Sequence, residues 1–240
     1  MTTINRLVVN GCSYMDCYAQ GGGHKDLATK LNIDNAVNLT QSGCANGRII
    51  RTTLKDSYDN EPTLYVLGMT FLNRKEAPIL DLEKDEKEES SFEGKWTNPQ
   101  NQIFQKRWNS YWKQKDTDDF VNLKLKEEII GTVDLAEDLM LRMCAMIDSL
   151  KLRGHDAIIY QQADTCYQPF LDTPRLALFK KYSQFIEGFK WCAIQWQHSQ
   201  GVPALGDPFP SKYGKAPEDI QHREPGEHKV LNEKISSMWR

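Results

Sequence analysis

The sequence predicts an α/β domain, a mostly parallel sheet with helices over both faces. Short apolar strand-like runs alternate with helical ones in the order β-α-β-α-β-α-β. Parallel strands joined in this way need crossover helices, and those helices cover the sheet. A length of 240 residues suits one such domain with a sizeable core and is marginal for two.

Each element follows from its own pattern. Residues 5 to 10, "NRLVVN", read as a buried strand, and "HKDLATKL" at 24 to 31 as a short amphipathic helix with Leu27, Ala28 and Leu31 on one side. "AVNLT" at 36 to 40 is the second strand, "SGCANG" a turn, and "RIIRTTLKDS" at 48 to 57 the helix it opens. "TLYVLGM" at 63 to 69 is the clearest strand, a continuous run of strand-favouring apolar residues. Between 70 and 128 the rhythm breaks. "LDLEKDEKEESS" is a solvated charge run, and "IFQKRWNSYW" sets Phe104, Trp108, Tyr111 and Trp112 on one helical face, so this stretch is expected to be an insertion or lid. From 132 to 152 a helix capped by Thr132 or Asp134 repeats Leu135, Leu139, Met143, Met146, Ile147 and Leu150 on a 3.6 period. "RGHDAIIYQQ" supplies a glycine stop and the fourth strand, residues 172 to 196 mix a helical pattern with "KWCAIQW", and a closing helix carries Val230, Leu231, Ile235 and Met238.

Composition narrows the function classes. Forty per cent hydrophobic and 26% charged residues are ordinary for a soluble protein, and no run reaches the roughly 18 apolar residues of a membrane helix. A net charge of −3 argues against a general binder of phosphate backbones. No secretory signal is read at the start, so a cytoplasmic setting is expected. Six cysteines with no C-x-x-C pair suggest reduced, mostly buried thiols. Asp16, His24, His198, Asp207 and His228 lack metal-ligand spacing, so no metal is expected. "QGGGHKD" follows no strand directly and lacks a phosphate-loop pattern; it reads as a flexible connector.

Ser13, Gly43 and Thr70 each fall just past a predicted strand, where an open parallel sheet carries its ligand crevice. Acyl transfer there needs a hydroxyl, a histidine to take its proton, a carboxylate to orient that histidine, and N–H donors for the oxyanion. Asp219 and His222, three apart in "EDIQHREPGEH", offer the second and third. Cys12 is the neighbouring alternative nucleophile, but its side chain is expected to point the opposite way, into the core.

These residues resemble the SGNH (GDSL-type) hydrolases, in a divergent branch of the kind met in phage and bacteria. "NGCSYM" resembles the first block, "VNLTQSGCAN" the second, "YVLGMT" the third and "DIQHREPGEH" the last, over roughly residues 5 to 70 and 215 to 238. Cys12 stands where the first block has aspartate, and Thr70 where the third has asparagine. The resemblance implies a flavodoxin-like three-layer α/β/α fold over the whole chain. It also implies a serine esterase, with Ser13 as nucleophile, His222 as base, Asp219 as its orienter and His228 at the family's second histidine. The N–H groups of Ser13 and Gly43 form the oxyanion hole, with Thr70, Asn46 or Asn73 in place of the usual asparagine. The implied substrate is a small-molecule or glycan ester such as an O-acetyl carbohydrate, and no cofactor is implied. Arg74, Trp108 and Trp112 are candidate substrate contacts, with Arg48 and Arg51 as further cations. Two alternatives share the fold: a catalytically weak glycan- or protein-binding module, and an acyltransferase. Oligomeric state is not read from the sequence.

Overall fold

The computed structural model describes residues 3–41, 44–70, 77–78, 96–97, 132–162, 181–182, 188–200 and 225–239. Five parallel strands make the main sheet: β1 (Arg6–Gly11), β2 (Asn35–Asn38), β3 (Thr63–Met69), β6 (Asp156–Gln161) and β7 (Gly188–Cys192), in the order β2-β1-β3-β6-β7. β4 (Ala77–Pro78) and β5 (Trp96–Thr97) form a separate antiparallel pair. With that pair set aside, the order is the 2-1-3-4-5 of flavodoxin-like doubly wound sheets.

β1 and β3 are buried along their whole length, as continuous apolar strands between two helical layers must be. Successive side chains alternate between the layers. Val8 and Cys12 enter the core under α3 (Asn46–Tyr58) and α4 (Thr132–Leu152), while Leu7 and Val9 enter the core under α1 (Ser13–Gln20), α2 (Gly23–Leu31) and α6 (Pro225–Met238). The three-layer α/β/α architecture expected from the sequence is the one observed.

Most of the periodic positions are buried, with Val230 and Met238 half-buried and the Leu135 side chain outside what is described. On α4, Leu139, Met143, Met146, Ile147 and Leu150 are buried, and on α6, Leu231 and Ile235 are fully buried. Three differences stand out. α1 is a helix the sequence did not announce, β7 is a fifth strand within the mixed 172–196 stretch, and a short α5 (Ala193–Ser199) follows it. In the glycine run 21–23, Gly21 and Gly23 pack closely against His228 and Tyr18, and Gly22 turns the chain between α1 and α2 with open space around it. Gly22 sits at φ 87°, and a Cβ on Gly21 would overlap the His228 ring. Apart from Thr70 and the β4–β5 pair, the expected 70–128 insertion lies outside the described residues. No helix among the described residues is long and apolar enough to cross a membrane.

Candidate active site

The carboxyl ends of β1 and β3 lie side by side, with Gly11 paired to Gly68. Neither carries a Cβ, and Met15 occupies the space that both leave. α1 therefore starts directly above the sheet rim, with only Cys12 between it and the end of β1. Met15 is held from below by the Tyr160 hydroxyl, which donates to its sulfur at 2.7 Å. Burial pushes the Tyr160 phenol far above its ordinary range, so it stays a donor.

Ser13 is the first residue of α1. Its neighbour Cys12 occupies the cap position in an extended conformation (φ −84°, ψ −163°), makes no side-chain cap, and is fully buried in the α3/α4 core. The first intrahelical bond is Asp16 N–H to the Cys12 carbonyl at 2.9 Å. The N–H groups of Ser13, Tyr14 and Met15 precede it, so the helix ladder offers them no acceptor. Such a helix start favours negative charge in front of it.

The loop after β2 is lashed to this point. Gln41 N–H and Cys44 Sγ both donate to the Gly11 carbonyl, at 3.0 and 3.2 Å, and the Thr40 hydroxyl donates to Asp16 Oδ1 at 3.0 Å. Arg48 donates to the Leu39 carbonyl at 3.0 Å, which gives it a structural duty in this loop. Gly43 belongs to the same loop but lies outside the described residues.

The end of β3 is fixed by Asn46, the first residue of α3. Asn46 Oδ1 accepts from Thr70 N–H at 2.8 Å, and its amide donates to the Thr70 carbonyl at 3.0 Å. Both residues are buried, Thr70 completely. Asn46 thus grips the main chain at the oxyanion position proposed for Thr70. Asn10, fully buried, performs a parallel task for β1: its amide donates to Thr52 Oγ1 at 2.7 Å, to Thr53 Oγ1 at 3.1 Å and to the Ile49 carbonyl at 3.2 Å, while its Oδ1 accepts from Gly11 N–H at 2.9 Å.

The structure thus gathers Ser13, Asn46 and Thr70 on one rim. Asp219, His222, Arg74, Asn73, Trp108 and Trp112 lie outside the described residues. His228 packs at the other end of α1, against Gly21 and edge-on to Tyr18 with ring centroids 5.4 Å apart. Gly21 is eight residues beyond Ser13, about 12 Å along the helix axis, so His228 stands apart from the rim. Sequence reasoning missed Asn10, Met15 and Gln162. Gln162 is fully buried just past β6, and its N–H donates to the Met69 carbonyl at 2.8 Å. Its signal was present in "IIYQQ", where a buried strand turns polar at its carboxyl end. Among the described residues no cluster of His, Cys, Asp and Glu is arranged to hold a metal.

No protein-family model matches the chain, and no curated protein does. Among solved structures, the chain is similar to the crystal structure of a "putative acylhydrolase" from Bacteroides fragilis, with a TM-score of 0.41 and 12% identity over 98% of this chain and 88% of that one.

Proposed function

We propose that the chain is an SGNH-like serine hydrolase that cleaves a carboxylic ester, a short acyl group such as acetyl on a carbohydrate. One observation carries this reading. Ser13 opens a helix at the carboxyl end of β1, between strands that continue the chain to opposite sides, which is where doubly wound sheets bind ligands. A hydroxyl at a helix start has N–H donors beside it, the pairing that acyl transfer requires.

In the proposed reaction the Ser13 oxygen attacks the ester carbonyl carbon while His222 takes its proton and Asp219 orients the imidazole. The N–H groups of Ser13 and Gly43 hold the oxyanion, with Thr70 beside them and Asn46 keeping Thr70 in place. The tetrahedral intermediate collapses, His222 returns the proton to the leaving alcohol, and water repeats the sequence on the acyl-enzyme. Arg74, Trp108 and Trp112 contact the substrate, and no cofactor enters.

The test is p-nitrophenyl acetate turnover by wild type beside Ser13→Ala and His222→Ala, with fluorophosphonate labelling of each. Turnover above background that both substitutions abolish, with labelling confined to Ser13, is the expected outcome. Neither turnover nor labelling in the wild type refutes the proposal and leaves a binding module.

A further inference from the structure

α3 and α4 lie side by side over the same sheet face, and the furrow between them encloses about 780 Å³. Ile50, Leu54 and Met146 form its floor, and Arg51, Lys55 and Arg142 stand along it. The described residues lining it include no carboxylate, in a chain whose net charge is −3. Arg142 has an ion pair with Asp138 at 3.0 Å, but both side chains are more than half exposed, so the pair holds it weakly. The large apolar side chains most exposed among the described residues belong to these two helices: Tyr58 at 66%, Leu141 at 57% and Leu152 at 89%. Of these only Tyr58 lines the furrow, and an apolar floor with cationic sides and an exposed aromatic at one end is the anatomy of a helix-binding groove.

We propose that this furrow binds an amphipathic helix of another protein, with its apolar face down and acidic residues along its flanks. Gly47 and Tyr58 both line the furrow, and the distance between them along α3 is eleven residues, about 16 Å, enough for roughly three turns of a partner helix. Charge selects the partner. A second copy of this chain joined through the same face by a two-fold axis would bring cations against cations, whereas glutamates on a foreign helix would meet them. The furrow begins at Gly47, next to Asn46 at the rim, but Lys55, Arg142 and Ala145 lie further along α3 and on α4 and have no part in the proposed ester chemistry.

The probe is a fluorescein-labelled peptide of about 14 residues, with leucine at i, i+4, i+7 and i+11, glutamate only at the positions flanking them and alanine on the outer face to keep it helical, followed by anisotropy with the full chain. Saturable binding with Kd on the order of 10 μM is expected, weakening at least tenfold as salt rises, as screened charge pairs must. Lys55→Glu with Arg142→Glu should weaken it at least tenfold, Ala145→Trp should block the furrow, and a peptide with lysine for glutamate should not bind. All four changes fall on exposed surface or on the probe, so unchanged circular dichroism melting separates lost binding from lost fold. No saturation up to about 1 mM, or binding that ignores these variants, overturns the proposal. So does a concentration-dependent dimer abolished by Ala145→Trp, which would make the occupant a second copy.

Discussion

A Cβ on Gly68 would lie 2.6 Å from both Met15 Cγ and Gln162 Oε1, two fully buried side chains with little room to retreat. Gly68→Ala should therefore cost about 1–3 kcal/mol as an overpacked core site, read as a shift of the urea midpoint at constant m value. Met15→Ala opens space at the same spot and should by itself cost about 2–5 kcal/mol. In that background the Gly68 methyl has somewhere to go, so the double variant should be more stable than the sum of the two losses. Strict additivity would show that the methyl's clash falls on Gln162 rather than on Met15. Asn46→Ala makes a second demand on the same rim. It strips both partners from the Thr70 peptide, each in a buried setting where an unmet polar group costs about 1–3 kcal/mol. The variant should lose stability and, under the proposed chemistry, also lose kcat with little change in KM, because Thr70 would no longer be held at the oxyanion.

Helices meet each other through equally specific pairs, and that of α1 and α2 with α6 is sensitive to acid. Tyr18 donates to Asn232 Oδ1 at 2.5 Å, and the Asn232 amide donates to the Gly23 carbonyl at 3.2 Å. Beside them His228, the fourth residue of α6, where the helix dipole also opposes positive charge, is fully buried with neither ring nitrogen hydrogen-bonded among the described residues. Burial pushes its pKa below the ordinary imidazole value, and Asp26 opposes this only in part. His24 on α2 is shifted the same way, by burial first and then by Lys25. A folded-state pKa below the unfolded one means that the unfolded chain takes up protons first as pH falls. Stability from these residues is therefore complete above about pH 6.5 and erodes below it. Denaturant midpoints at pH 8 and pH 5 should show the loss, and His228→Gln should reduce it. An equal loss in that variant would move the acid sensitivity elsewhere. This element scale also marks where sequence pattern stops being informative. α4 and α6 advertise themselves through a 3.6-residue apolar repeat, but α1, "SYMDCYAQ", has few strong helix formers and is helical because Met15, Tyr18 and Ala19 are buried against the sheet. β7 hides for a related reason: in "GFKWC" the Phe-Lys-Trp alternation spans only three residues, too short to stand out beside the helical pattern that precedes it.

For the molecule as a whole, the parallel sheet between two helical layers was legible because strand–helix alternation admits few topologies, whereas the site was legible only where it coincides with strand ends. Ser13 and Thr70 follow directly from the positions of β1 and β3. The grip of Asn46 on Thr70 and that of Asn10 on α3 depend on how helices settle against strands, which no local pattern encodes. The same architecture predicts how stability is distributed. β1 and β3 lie inside the sheet and are buried along their lengths, and at their amino ends Arg6 and Asp56 form a two-pronged ion pair (2.6 and 2.9 Å) that the Tyr65 hydroxyl joins at 2.7 Å. β2 is an edge strand whose residues are exposed or half-buried. Amides of Leu7–Asn10 and Leu64–Leu67 should therefore exchange with deuterium only through global unfolding, and those of β2 through cheaper local opening. Asp56→Ala leaves Arg6 largely buried without its partner and should cost about 3–5 kcal/mol. Because that cost falls on the global transition, it should speed exchange in β1 and β3 alike while leaving the faster β2 amides nearly unchanged. If β2 instead slowed or quickened in step with the central strands, the sheet would open as one unit, and the rim that carries Ser13 would have no separately stable platform beneath it.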